Sequence, residues 1–236
     1  MEASALVRAV RGSRAPRKLF TGSCNAGTGM RALVALVIGA ALVAAVLGIV
    51  AYRLMVPELP HLDGARVLVL VADRYNHQEY SYVVDALRRQ GAHVVVASFS
   101  LETVHSYDGG SVKPDITFEQ VELGGYHAIY IPGGYAPEKL AESELVLNLV
   151  REARRRGLVV AAICHGPLVL ARAGVIDGVK VTGYSAVLDE LRKAGGIVVA
   201  ESAVRDGDII TGTDPSALPQ FTKLFAEALA EKLGGR

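Results

Sequence analysis

The sequence predicts an α/β fold: a doubly wound, mostly parallel sheet with helices on both faces, preceded by one transmembrane helix. Three observations carry this. Residues 32–52 run for 21 positions without a charge, Pro, Asn or Gln. From Arg66 onward, short runs of Val, Ile and Leu alternate with stretches of helical spacing. Those short runs are apolar at every position, the pattern of parallel strands covered on both faces. Apolar residues make up 51% of the 236 and charged residues 21%, with two cysteines, so neither a disordered chain nor a disulfide scaffold is expected. A net charge of +1 gives no electrostatic reason to expect nucleic acid as a partner.

Taken in order, residues 1–31 hold Arg8, Arg11, Arg14, Arg17, Lys18 and Arg31 against Glu2 and read as a disordered basic arm. Segment 32–52, at ~1.5 Å per helical residue, reaches ~30 Å, about one hydrocarbon core. It is longer than the ~7–15-residue core of a cleaved signal, and no clear small-x-small site follows. The expectation is an uncleaved single-pass anchor with the lipid bilayer as its partner. The basic arm before it predicts the N-terminus in the cytoplasm and the C-terminal domain outside. Residues 53–65, with Pro57 and Pro60, read as a stiff tether, and 66–236 as the α/β domain. Within it, strands are expected at 66–72, 93–99, 128–131, 158–163 and 208–212, and helices at 80–90, 137–156, 167–173, 186–194 and 219–232. The arrangement is flavodoxin-like, and ligands of such sheets bind beyond the carboxyl ends of the strands.

Three strand ends carry chemistry. The first is followed by Asp73-Arg74-Tyr75-Asn76-His77-Gln78-Glu79, the strand at 128–131 by Pro132-Gly133-Gly134-Tyr135, and that at 158–163 by Cys164-His165-Gly166-Pro167. Ala162-Ile163-Cys164-His165-Gly166 has the small-x-nucleophile-x-small form of a strand-to-helix elbow. A helix starting there favours thiolate; the plainer reading is a core cysteine at a strand end. Gly133 and Gly134 are either a turn or, with the His165 amide, donors to a developing oxyanion. Glu79 is either a first-turn helix acid or a carboxyl placed to donate to the thiolate. HExxH, CxxC, Walker A and strand-following GxGxxG motifs are missing from the sequence, so no metal or cofactor is expected. His61, His93, His105 and His127 read as scattered histidines.

Together, Ile131-Pro132-Gly133-Gly134-Tyr135-Ala136-Pro137-Glu138 and Ala162-Ile163-Cys164-His165-Gly166-Pro167 resemble the PfpI-like intracellular proteases of the ThiJ/PfpI superfamily, which includes deglycases. The resemblance runs from about Arg66 to the C-terminus. It implies Cys164 as nucleophile, His165 as its adjacent histidine, Glu79 as the acid beside the thiol, and Gly134 with the His165 amide as oxyanion donors. It further implies that Glu138 completes a Cys-His-Glu triad across a subunit interface of a homo-oligomer, and that Tyr184 lines the pocket. Asn76-His77-Gln78 replaces the usual acidic run and Tyr135 the usual basic residue, so a less charged pocket is expected. Two substrate classes follow, peptides and reactive carbonyls such as methylglyoxal and its adducts. The presence of Glu138 favours a membrane-anchored peptidase. The alternatives are a deglycase or glyoxalase and a redox-sensing or chaperone-like module using the same cysteine.

Overall fold

The structure, a computed structural model, describes residues 26–55 and 59–235, with the side chains of the first helix described over 34–48. The chain divides into two compact units, Met1–Pro57 and Glu58–Arg236. In the first, the described part is one helix, α1 (Ala26–Met55).

Among the described residues no helix is long and apolar enough to cross a membrane. This overturns the transmembrane helix expected at 32–52. With it go the lipid bilayer as a partner and the single-pass placement with a cytoplasmic N-terminus and an outer catalytic domain.

The second unit begins with β1 (Arg66–Leu70), α2 (His77–Arg89) and β2 (His93–Ser98). Three two-residue strands follow, β3 (Val104–His105), β4 (Ser111–Val112) and β5 (Ile116–Thr117). Next come β6 (Ala128–Ile131), α3 (Ala136–Ala141), α4 (Glu144–Arg155), β7 (Val159–Ile163) and α5 (Pro167–Ala173). The chain ends with β8 (Lys180–Val181), α6 (Leu188–Lys193), β9 (Ile197–Val198), β10 (Ala203–Asp206), β11 (Ile209–Gly212) and α7 (Leu218–Gly234).

Seven strands form one sheet in the order β10-β11-β7-β6-β1-β2-β5. The pairings from β11 to β5 are parallel, and β10 runs antiparallel to β11. The sheet is therefore mixed, with flanking helices, which corrects the doubly wound, mostly parallel sheet behind a membrane helix. The cause is local. Gly207 lies in the left-handed region (φ 59°), so the chain reverses within a tight turn and Ala203–Asp206 folds straight back on Ile209–Gly212. Sequence reading sees only the second strand of that hairpin.

Two helix boundaries differ from expectation for equally local reasons. The helix expected over 137–156 is two helices, because Ser143 leaves the helical region (φ −93°, ψ 109°) and its side chain caps α4 by accepting from the Val146 amide. Helix α2 starts at His77, ahead of the expected 80, because the Asn76 side chain accepts from the Glu79 amide. Every residue of β6 and β7 is fully buried, so both faces of the sheet centre are covered. Helices α2 and α7 pack against each other, and α3, α4 and α5 form a second group. The carboxyl ends of β1, β6 and β7, hydrogen-bonded neighbours, thus open side by side.

Candidate active site

Cys164 immediately follows β7 in a left-handed conformation (φ 60°), a strained backbone for a residue with a side chain. Its neighbours hold it there: the Cys164 amide donates to the Gly212 carbonyl at 2.9 Å and its carbonyl accepts from the Tyr184 amide at 2.9 Å. At Gly166 any Cβ would lie 2.6 Å from the Ile131 carbonyl oxygen and 2.8 Å from that of Ile163, so only glycine lets α5 begin directly after the turn. Cys164 is buried and is not disulfide-bonded.

Glu79, in the first turn of α2, is fully buried. Its Oε2 accepts from the Gly133 amide at 2.7 Å, while Oε1 is buried without a hydrogen-bond partner. A Cβ on Gly133 would lie 2.6 Å from Glu79 Oε2 and 3.0 Å from Cys164 Sγ. Glycine at 133 is thus what allows acid and thiol to share one niche. Burial is the main reason that the carboxyl is pushed up to about 7. Burial, then the neighbouring Glu79 charge, pushes the thiol up to about 12, against the amides of Gly134 and His165, which favour thiolate. The expectation that the helix start alone lowers the thiol pKa is corrected, because desolvation outweighs it.

Gly134 also has a left-handed backbone (φ 83°) and bridges to Tyr75, with the Asn76 amide donating to the Gly133 carbonyl at 3.0 Å and the Tyr135 amide to the Arg74 carbonyl at 2.9 Å. The loops after β1 and β6 are thereby stitched together, and the Gly134 amide is left pointing at the sulfur.

His165 Nδ1 lies 3.4 Å from Cys164 Sγ, and its ring faces Tyr184 at 5.0 Å and Tyr135 at 6.5 Å between centroids. Burial lowers its pKa, so the imidazole is neutral near pH 7. Glu138 opposes that shift only as a nearby charge and makes no hydrogen bond to the ring. No Cys-His-Glu triad is assembled among the described residues. The short helix α3 places Glu138 in a separate depression with Glu142 and Arg172.

A cavity of about 320 Å³ opens over the sulfur, lined by Asn76, Tyr107, Gly134, Tyr135, Cys164, His165, Tyr184, Asp214 and Pro215. The structure thus gathers Cys164, His165, Glu79, Gly133, Gly134 and Tyr184 and leaves Glu138 apart. Sequence reasoning missed Asn76, Tyr107 and Asp214. Asn76-His77-Gln78-Glu79 carries the capping pattern of a polar residue three before a Glu. Asp214 lies two residues beyond β11, where the strand-end rule points. Tyr107 has no such signal, because it sits between β3 and β4, outside the main sheet.

Residues 65–228 match the DJ-1/PfpI family. A deglycase of Pyrococcus horikoshii is 35% identical over 164 residues, covering 70% of this chain and 99% of that protein. The deglycase PfpI of Pyrococcus furiosus is 33% identical with the same coverage. Among solved structures, Drosophila melanogaster DJ-1beta superposes with a TM-score of 0.65 at 29% identity, over 73% of this chain and 97% of that one. The membrane-anchored peptidase favoured on sequence is overturned: no described helix is long and apolar enough to cross a membrane, no Cys-His-Glu triad is evident within the described chain, and the archaeal relatives, named deglycases, favour the alternative reading.

Proposed function

The chain belongs to the DJ-1/PfpI family, and from that premise we propose that it is a thiol enzyme of the deglycase or glyoxalase type acting on reactive carbonyls. The observation that carries the reading is the Glu79–Cys164 pair, two buried acids next to the same glycine with one carboxyl oxygen lacking a partner. Burial raises both groups, the carboxyl to about 7 and the thiol to about 12, so between those values the pair holds a single proton. That proton rests mainly on the sulfur, and the reactive form is the minor one in which it has moved to Glu79, leaving the charge on a sulfur that faces the amides of Gly134 and His165.

The thiolate then adds to a carbonyl carbon: a C–S bond forms and the π pair of the C=O moves to oxygen. The two amides stabilise that oxyanion. The neutral His165 ring, beside the sulfur, takes and returns protons as the adduct is converted. A group that reacts with small, exposed carbonyls needs no long peptide groove, and a cavity of about 320 Å³ suits it.

The test is loss of methylglyoxal, free and as its adducts on protein, measured with the purified chain and with Cys164→Ala. Turnover abolished by the substitution is the expected result. Equal rates in both chains, or no rate in either, would remove the reading.

A further inference from the structure

Tyr107 lines the cavity from the connection between β3 and β4, outside the main sheet. Its loop, between β3 and β4, is nevertheless tied down at close intervals. The Ser106 amide donates to the Gly110 carbonyl at 2.9 Å and the Gly110 amide to Ser106 Oγ at 2.6 Å. The Tyr107 amide donates to the Tyr75 carbonyl at 3.2 Å. The Asp108 carboxylate accepts from the amides of His77 and Gln78 at 2.9 and 3.2 Å, which fastens the loop to the N-terminus of α2. A side chain at Gly110 would collide with the His77 ring, so the fit is close. The Tyr107 ring meets Tyr135 edge to face at 5.4 Å, and the Arg74 guanidinium covers Tyr135 at 4.2 Å.

The direction of the hydroxyl proton follows from the hydrogen-bond inventory. Asn76 Oδ1 is committed to the Glu79 amide at 3.0 Å, so the group facing Tyr107 must be Nδ2, which donates to the phenol oxygen at 2.9 Å. The phenol is the acceptor in that bond. Its own proton has no acceptor among the described residues and is available to the cavity, into which the half-exposed ring projects. Burial and the charges of Asp108, Glu79 and Cys164 all raise its pKa, so it stays a donor at every working pH.

We propose that the Tyr107 hydroxyl is a substrate-binding donor that hydrogen-bonds the oxygen on the carbon next to the one attacked by Cys164, selecting carbonyls that carry a neighbouring oxygen. The backbone amides of Gly134 and His165 serve the oxygen of the attacked carbon. A second, spatially separate donor serves a second oxygen. The assignment rests on the thiol-addition reading above and deepens it, because it distinguishes an α-oxo aldehyde from a plain aldehyde at the same cysteine.

Tyr107→Phe in the full chain removes only the hydroxyl and leaves the Asn76 cap of α2 in place. Two measurements separate the possibilities. Turnover of methylglyoxal should fall about 100-fold, the scale for loss of one aligned donor. Protection of Cys164 from iodoacetamide, read as initial labelling rates, tests binding without turnover. Methylglyoxal should protect the variant at least ten times less well than the unsubstituted chain, whereas propanal, which lacks the second oxygen, should protect both alike. Labelling against pH without any aldehyde should be unchanged, showing that the Glu79–Cys164 pair is undisturbed. Unaltered methylglyoxal protection in Tyr107→Phe overturns the role of Tyr107, and so does an equal loss with propanal. Absent turnover in the unsubstituted chain overturns the enzyme reading, while the protection ratios still decide Tyr107.

Discussion

At the scale of residues, Glu79 and Cys164 govern each other's proton. A buried carboxyl raised from 4.5 to about 7 keeps its proton in the folded chain where the unfolded chain has already released it. The folded state then binds more protons between about pH 4.5 and 7, and its stability falls as pH rises through that window. The full drop is roughly 3 kcal/mol. Glu79→Gln keeps an oxygen for the Gly133 amide but does not titrate, so chemical denaturation across pH should show a flatter profile in that variant. Labelling gives a second signature. A pair that shares one proton places part of its charge on sulfur once the first proton leaves, so iodoacetamide labelling of Cys164 should step up near pH 7. Glu79→Gln should erase that step, and its persistence in the variant would assign it to another group.

At the scale of elements, the strand-to-helix connections hold the chemistry in register, and they depend on caps as much as on strands. Asn76 satisfies the Glu79 amide, and Asp108 satisfies those of His77 and Gln78, so the start of α2 is anchored from two directions. Asn76→Ala should cost about 1 kcal/mol of stability, read from the urea midpoint. The same change at the cap of α4, Ser143→Ala, should cost a similar amount. The two differ in consequence. Loss of the α2 cap frees the turn that carries Glu79 and should alter the pH dependence of Cys164 labelling, whereas loss of the α4 cap should leave it unchanged. At the elbow, Gly166→Ala forces a methyl group against two carbonyl oxygens and should reduce the yield of folded protein sharply.

At the scale of the molecule, one layer of packing connects the C-terminal helix to the site. Tyr130 of β6 is fully buried against Phe221 and Phe225 of α7, with ring centroids 5.9 Å apart in each case. Its hydroxyl donates to the Glu79 carbonyl at 3.0 Å. The aromatic layer therefore sets the height of α2 over the sheet. Phe225→Ala empties part of that layer and should cost about 3–5 kcal/mol, read from urea unfolding with an unchanged slope. Tyr130→Phe keeps the volume and removes only a second donor to a carbonyl that the α2 ladder also satisfies, for a smaller loss of about 0.5–1.5 kcal/mol.

The sequence by itself determined the central strands, the glycine elbow around Cys164, the paired glycines at 133 and 134, and the presence of an acid after β1. Each of these is a local pattern, read from apolar runs and from small residues at fixed offsets from a strand end. What only the tertiary structure decided lies between segments far apart in the chain. Desolvation of the thiol outweighs its helix start because Glu79 and Cys164, 85 positions apart, are buried beside the same glycine. Glu138 lines a depression with Glu142 and Arg172, a grouping that the sequence pattern does not register. Tyr107 reaches the cavity through a hairpin of two-residue strands, too short for periodicity to register. The antiparallel edge depends on one left-handed glycine, and the membrane helix expected at 32–52 rested on the length of one uncharged run and its basic flank. Pattern reports what a segment favours, but burial, which sets pKa values and brings groups together, is a property of the packed whole.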